Sequence, residues 1–303
     1  MKIPYYNKRI ELEFEIYARE LREHVNSCTN EGEVKLGAQR AYRLFFPLFL
    51  TLHCFQSLRG LSHPTQQILL TRMQRLQNKK GFVEALRLPQ LPDELHAAVL
   101  DSQIEMRFTH FLKEMWSDSL LCLNSIFLCN YRGAYIALRC MLEDLYRHLY
   151  YKDHPQEYLD MLEGDAESDH ARVAPVALRD YLAGTSYLSL YRKVDTTFKK
   201  KTDETEFDLF SMNSQLYSST SAYVHGSKFI SMNAFKDNGS AVRRANEEHE
   251  LCTTVSKFVK MATAFLLAAH LDDYRRMNEY DKSISFLAFS SDEKHALRRL
   301  LNI

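Results

Sequence analysis

The stretch YRGAYIALRCMLEDLYRHLYYKDHP, Tyr131 to Pro155, decides the fold. Ala134, Leu138, Leu142, Leu145 and Leu149 recur at spacings of three and four, which puts them on one side of an α-helix. Asn130 stands just ahead as a residue suited to capping that helix. Pro155 disfavours helical backbone at His154 and so closes it. A second pattern lies over the apolar one. Arg139, Glu143 and Arg147 follow at i, i+4 and i+8, an alternating-charge ladder, and Arg132 lies one heptad before Arg139.

Working outward, almost every segment repeats the helical period. Ile10, Phe14, Tyr17, Leu21 and Val25 form one stripe, and Val34 to Leu58 forms a richer one expected to kink at Pro47. Pro64 to Asn78 reads as a third helix, and Asp93 opens a long one running to about Leu128. Short helices are expected around Gln156 to Leu162 and Ala177 to Leu182, separated by the polar run GDAESDHARVAP. Arg243 to Tyr280 reads as one long helix with Leu251, Val255, Phe258, Met261 and Phe265 inside. Ser290 or Ser291 caps a final short helix. The connector LPQLP at Leu88 to Pro92 is the best boundary, which divides the chain into an N-terminal helical region, 1–90, and a helical domain, 91–303.

Composition agrees with an all-α helical bundle carrying additional N-terminal helices. Only 9 of 303 residues are glycine and 7 proline, too few for the many turns of an all-β or dinucleotide-binding chain. Lys plus Arg and Asp plus Glu are both 39, so no global basic field grips nucleic acid, although a local patch can. The six cysteines form no Cys-x-x-Cys pair and read as buried thiols of a reducing compartment. The N-terminal sequence has no apolar signal core, and the longest apolar run, Leu44 to Leu52, is too short to span a bilayer. A cytoplasmic protein without a membrane partner is the expectation.

The stretch LYSSTSAYVHG, Leu216 to Gly226, poses a different question. It reads as a helix but carries four hydroxyl residues in a row, which compete for backbone hydrogen bonds. Tyr217, Ser221 and His225 fall at i, i+4 and i+8, and Gly226 would end the helix just past the imidazole. Two polar stripes in an apolar domain are most easily satisfied by facing each other. The hydroxyls and His225 are therefore expected to partner Arg139 and Glu143. Such a network can simply fix the register of two helices. Alternatively, Arg139 binds an anion and His225 moves a proton.

The helix LRCMLEDLYRHLYYKDHP, followed well downstream by LYSSTSAYVHG, resembles a bacterial branch of the HEPN superfamily of helical nucleotide-binding and RNA-cleaving domains. There an lR-x-x-lE helix pairs with a y-x-x-x-S-x-x-v-H-g helix. The resemblance covers roughly Met106 to Leu271. It implies a helical bundle, a homodimer or a complex with a partner protein, and RNA or a nucleotide as ligand. For active members it implies metal-independent RNA cleavage, often in toxins or antiviral defence; other members are inactive binding modules.

Active members carry Arg, four to six residues, then His. Arg147 and His154 enclose six residues, and Arg244 and His249 enclose four. For His225 no arginine stands at that spacing, so Arg139 would act from another helix. The resemblance thus nominates Arg139, Glu143, Arg147, His154 and His225 for catalysis, and Arg132, Tyr217, Ser221, Arg244 and His249 for RNA contact. Chemically, a 2′-hydroxyl attacks the phosphate, a histidine moves its proton and an arginine stabilises the charge. No metal site and no cofactor are expected, since no metal-ligand spacing or Gly-rich phosphate loop is present. The alternative is a non-catalytic helical module that senses a ligand or a partner protein.

Overall fold

The computed structural model describes residues 8, 10–12, 14, 15, 32–56, 109–154, 157, 158, 161, 175–185, 209–224 and 245–303. Nine helices are named here: α1 (Gly32–Gln56), α2 (His110–Phe127), α3 (Tyr131–Asp153), α4 (Pro175–Gly184), α5 (Leu209–Val224), α6 (Ala245–Ala269), α7 (Leu271–Arg276), α8 (Glu279–Ser285) and α9 (Ser291–Leu301). No strand occurs among the described residues, so the fold is an all-α helical bundle.

Helices α2 and α3 form the central hairpin. Between them Cys129 adopts a left-handed φ of 54°, which turns the chain within three residues. The Asn130 side chain then accepts from the Gly133 amide at 3.0 Å and caps α3 as the sequence suggests. Gly133 is required for this closeness, because a Cβ there would stand 2.5 Å from Asn130 Nδ2. Ser119 and Met141 zip the hairpin farther along, hydroxyl to sulfur at 2.9 Å, and the Cys122 thiol reaches the Ala134 carbonyl at 3.3 Å.

The inner stripe of α3 is buried as its spacing requires: Ala134, Leu138, Leu142, Leu145 and Leu149 are each at most 1 % exposed. The predicted stripe of α6, Leu251, Val255, Phe258, Met261 and Phe265, is fully buried as well. Each large side chain removed from water contributes roughly 1.5–3 kcal/mol. Helix α1 joins the same core through Phe45, Phe46, Leu48 and Leu52, and so do Ile10 and Phe14. The described residues of the N-terminal region therefore share one core with the helices after them. Pro47 lies inside α1, and the Thr51 hydroxyl donates to its carbonyl at 2.8 Å.

One expectation changes, and others lie partly or wholly outside the described residues. The long helix from Arg243 to Tyr280 is three helices: α6 stops at Ala269, His270 takes a non-helical φ of −116°, and Asn278 caps α8 by accepting from the Asp281 amide. The helix ending near Leu128 is seen from His110 onward, and residues 93–108 lie outside the described part, as do Pro64 to Asn78. The final capping box is present, Ser290 with Glu293.

Helix α6 is by length and composition apolar enough to cross a membrane, but 72 % of the relevant window is buried in this core. Of the described cysteines, Cys54, Cys122, Cys129 and Cys252 are buried and Cys140 is exposed.

Candidate functional site

Residues on α3, α4 and α5 build the site. Arg139 lies on the side of α3 that faces α5 and is only 8 % exposed. Its guanidinium lies over the Tyr217 ring of α5, 3.8 Å from the centroid. One edge pairs with Glu143 at 3.1 Å. Nη1, on the other side, has no hydrogen-bond acceptor among the described residues. Arg179 of α4 approaches the same Tyr217 ring at 5.1 Å while holding Asp180 at 2.9 Å. One tyrosine ring thus gathers two guanidinium groups, and cation–π attraction of about 0.5–2 kcal/mol holds each there. Below them the Tyr146 hydroxyl donates to Asn213 Oδ1. Burial pushes that phenol above its usual range, against the pull of Arg139 and Arg179.

The charge ladder continues along α3. Arg147 meets Glu143 and Asp144, each at 3.4 Å. Asp144 is nonetheless pushed up to about 7, by burial first and by Asp118 of α2 second; Arg147 pulls the other way. Asp118 is raised too, by burial and Glu114, with its hydrogen bond to Asp144 opposing. Since Arg147 is 38 % exposed, its ion pair is screened by water and does not offset burial of the acid. The two carboxyls lie across the α2–α3 seam, where burial raises both and the charge of Asp118 adds to the rise of Asp144.

The remaining sequence candidates separate. Arg132 is half-buried in the first turn of α3. His154 caps the end of α3, off the helix as expected, and stacks on Tyr150 at 4.2 Å. Its Nδ1 lies 2.9 Å from the Tyr150 carbonyl. A carbonyl only accepts, so Nδ1 carries the proton and Nε2 is the basic nitrogen of the neutral ring. Fifteen residues of helix place His154 about 22 Å from Arg139, too far to share one phosphate. His249 is exposed near the start of α6. His225 and Arg244 lie outside the described residues.

The hydroxyls of α5 behave differently from expectation. Thr220 is buried and donates back to the Leu216 carbonyl at 2.7 Å, and Ser219 does the same at 3.2 Å. Both are satisfied inside their own helix, so the partner Arg139 meets is the Tyr217 ring. Ser221 is half-buried one turn beyond.

Sequence reasoning missed Arg179, Asn213 and the Asp118–Asp144 pair, which no spacing announces. It also missed His148 and His270, whose Nε2 atoms stand 2.8 Å apart. Here a signal existed: each histidine sits on an apolar face, where a polar ring needs a partner. Among the described residues no group of three or more His, Cys, Asp or Glu side chains could hold a metal ion. In comparisons with protein-family models, curated proteins and solved structures, nothing matches this chain.

Proposed function

We propose that this is a HEPN-like protein that binds RNA or a nucleotide through a phosphate contact at Arg139 and Arg179 and cleaves RNA without a metal, as a toxin or antiphage effector would. One observation carries the reading. Arg139 is buried, fixed on Tyr217, and keeps Nη1 unclaimed among the described residues. A buried guanidinium with a spare donor is costly unless an anion takes it. Arg179 adds a second, more accessible positive charge over the same ring. Tyr217 holds both guanidinium groups in place, so the positive charge is fixed before a phosphate arrives.

A specific arrangement favours the second reading, a non-catalytic binding module. Glu143 already pairs with both Arg139 and Arg147, and among the described residues His154, a sequence candidate for moving the proton, is about 22 Å along α3. Cleavage therefore rests on His225.

Purified protein incubated with total RNA, with and without chelator, tests the reading. Cleavage that survives chelator and vanishes in His225→Ala, with the helical circular-dichroism signal intact, is the expected result. Binding of a labelled RNA that is weakened in Arg179→Ala, with no cleavage by any variant, selects the module. Neither binding nor cleavage overturns both.

A further inference from the structure

The strongest feature outside that site is a chain of three titratable groups, two buried histidines and a half-buried aspartate, at the joint between α6 and α7. His148 of α3 and His270 are 1 % and 7 % exposed, and they meet across 122 residues of sequence. Their Nε2 atoms are 2.8 Å apart and their rings lie nearly parallel at 5.1 Å. His270 Nδ1 is 3.2 Å from Asp273 Oδ2. The proton positions follow. A carboxylate accepts, so Nδ1 of His270 carries a hydrogen and its Nε2 is a bare acceptor. The bond between the rings then has His148 Nε2–H as donor. Phe55 of α1 covers the His270 ring at 5.2 Å and carries no charge.

His270 is also the residue at which the helix breaks, with φ −116° and ψ 37°. Its carbonyl accepts from the Tyr274 amide at 2.8 Å and starts α7. The ring that joins α3 to this joint and the backbone that sets its angle therefore belong to one residue. We propose that the His148–His270–Asp273 chain is an acid-operated latch, which fixes the α6–α7 joint against α3 at neutral pH and frees α7 and the helices after it on acidification.

The chemistry of two protons makes it a latch. One added proton can be absorbed: His270 Nε2 becomes the donor and His148 shifts to its Nδ1–H tautomer. A second leaves two N–H groups aimed at each other across 2.8 Å, and the bond is lost. The surroundings set the threshold. Lys152, one turn along α3, disfavours protonation of either ring, while Asp273 of α7 and Asp153 of α3 favour it on His270. On α8, Asp281 faces Cys54, the neighbour of Phe55 on α1, rather than the rings. Burial holds both imidazoles below their ordinary range. The neutral pair is thus favoured by the fold, and its contribution is fully present above the unfolded imidazole range of about 6.5 and lost as pH falls from there toward the lower folded values.

Hydrogen exchange of the full chain, followed between about pH 7 and pH 5 and corrected for intrinsic rates, tests the latch. Uptake of each proton should raise exchange about tenfold per pH unit, so residues 271–301 should accelerate by up to about 100-fold per unit while 110–153 stay protected. In His148→Leu this pH dependence should disappear. Because that variant removes a buried hydrogen bond and can fail to fold, histidine side-chain NMR on the unaltered chain gives a second reading. It should show His148 protonated at Nε2 and His270 at Nδ1 near neutral pH. Either ring titrating near 6.5 like an exposed imidazole, or acceleration spread evenly over all helices, overturns the proposal.

Discussion

Asp144 keeps its proton to about pH 7 in the fold, whereas the unfolded side chain loses it near 3.8. A raised carboxyl contributes stability that is greatest below its unfolded value and falls as pH rises toward its folded one. Asp144→Asn, which keeps the shape and cannot ionise, should therefore stabilise the protein increasingly between about pH 4 and 7. The gain at neutral pH should be at most about 4 kcal/mol, read as the difference between two melting curves. Glu143 gives the opposite case. Glu143→Ala takes a carboxylate from Arg139 and Arg147 together. Arg139 keeps Tyr217, so the expected loss is about 1–3 kcal/mol, seen in urea as a lower midpoint with an unchanged slope.

At the scale of one helix, the start of α3 allows a cycle of two changes. Asn130→Ala should cost about 1 kcal/mol, the usual value of a cap. Gly133→Ala would ordinarily gain about 1 kcal/mol in a helix, but the new Cβ meets the Asn130 amide at 2.5 Å. The gain should therefore be near zero alone and appear in full once Asn130 is alanine, a coupling that thermal or chemical unfolding of the four proteins measures. The same scale shows what could be read from sequence. Asn130, Ser290 and the α3 and α6 stripes were legible because caps and periodicity are local. The break at His270 was not, because Phe265, Leu266 and Leu267 before it and Tyr274 after it pack into one core, so the apolar rhythm runs through the joint. No glycine or proline marks it.

For the molecule as a whole, the scarcity of glycine already pointed to helices, and one core now joins α1 to α9. The candidate site was legible only in part. Arg139, Glu143 and Arg147 share a helix, and their ladder follows from spacing; Arg179 and Tyr217 reach Arg139 only through packing that no local pattern encodes. The single tryptophan offers a test of unity. Trp116 of α2 lies 4.9 Å from Phe49 of α1. Its emission should change at the same denaturant concentration as helical circular dichroism, since one core unfolds as one unit. An earlier transition in fluorescence alone would make α1 a separate unit.

The exposed thiol of Cys140 stands next to Arg139 in sequence and one turn from Glu143, while the other four described cysteines are enclosed. With Cys28 replaced by serine, a maleimide dye would attach to the folded chain at this position first. The fluorophore would then sit on the outer surface of α3, on the residue next to Arg139 in sequence. That position is an attachment point for an optical sensor, and titrating such a conjugate with oligonucleotides would show by a change in emission whether any of them reaches this face of α3.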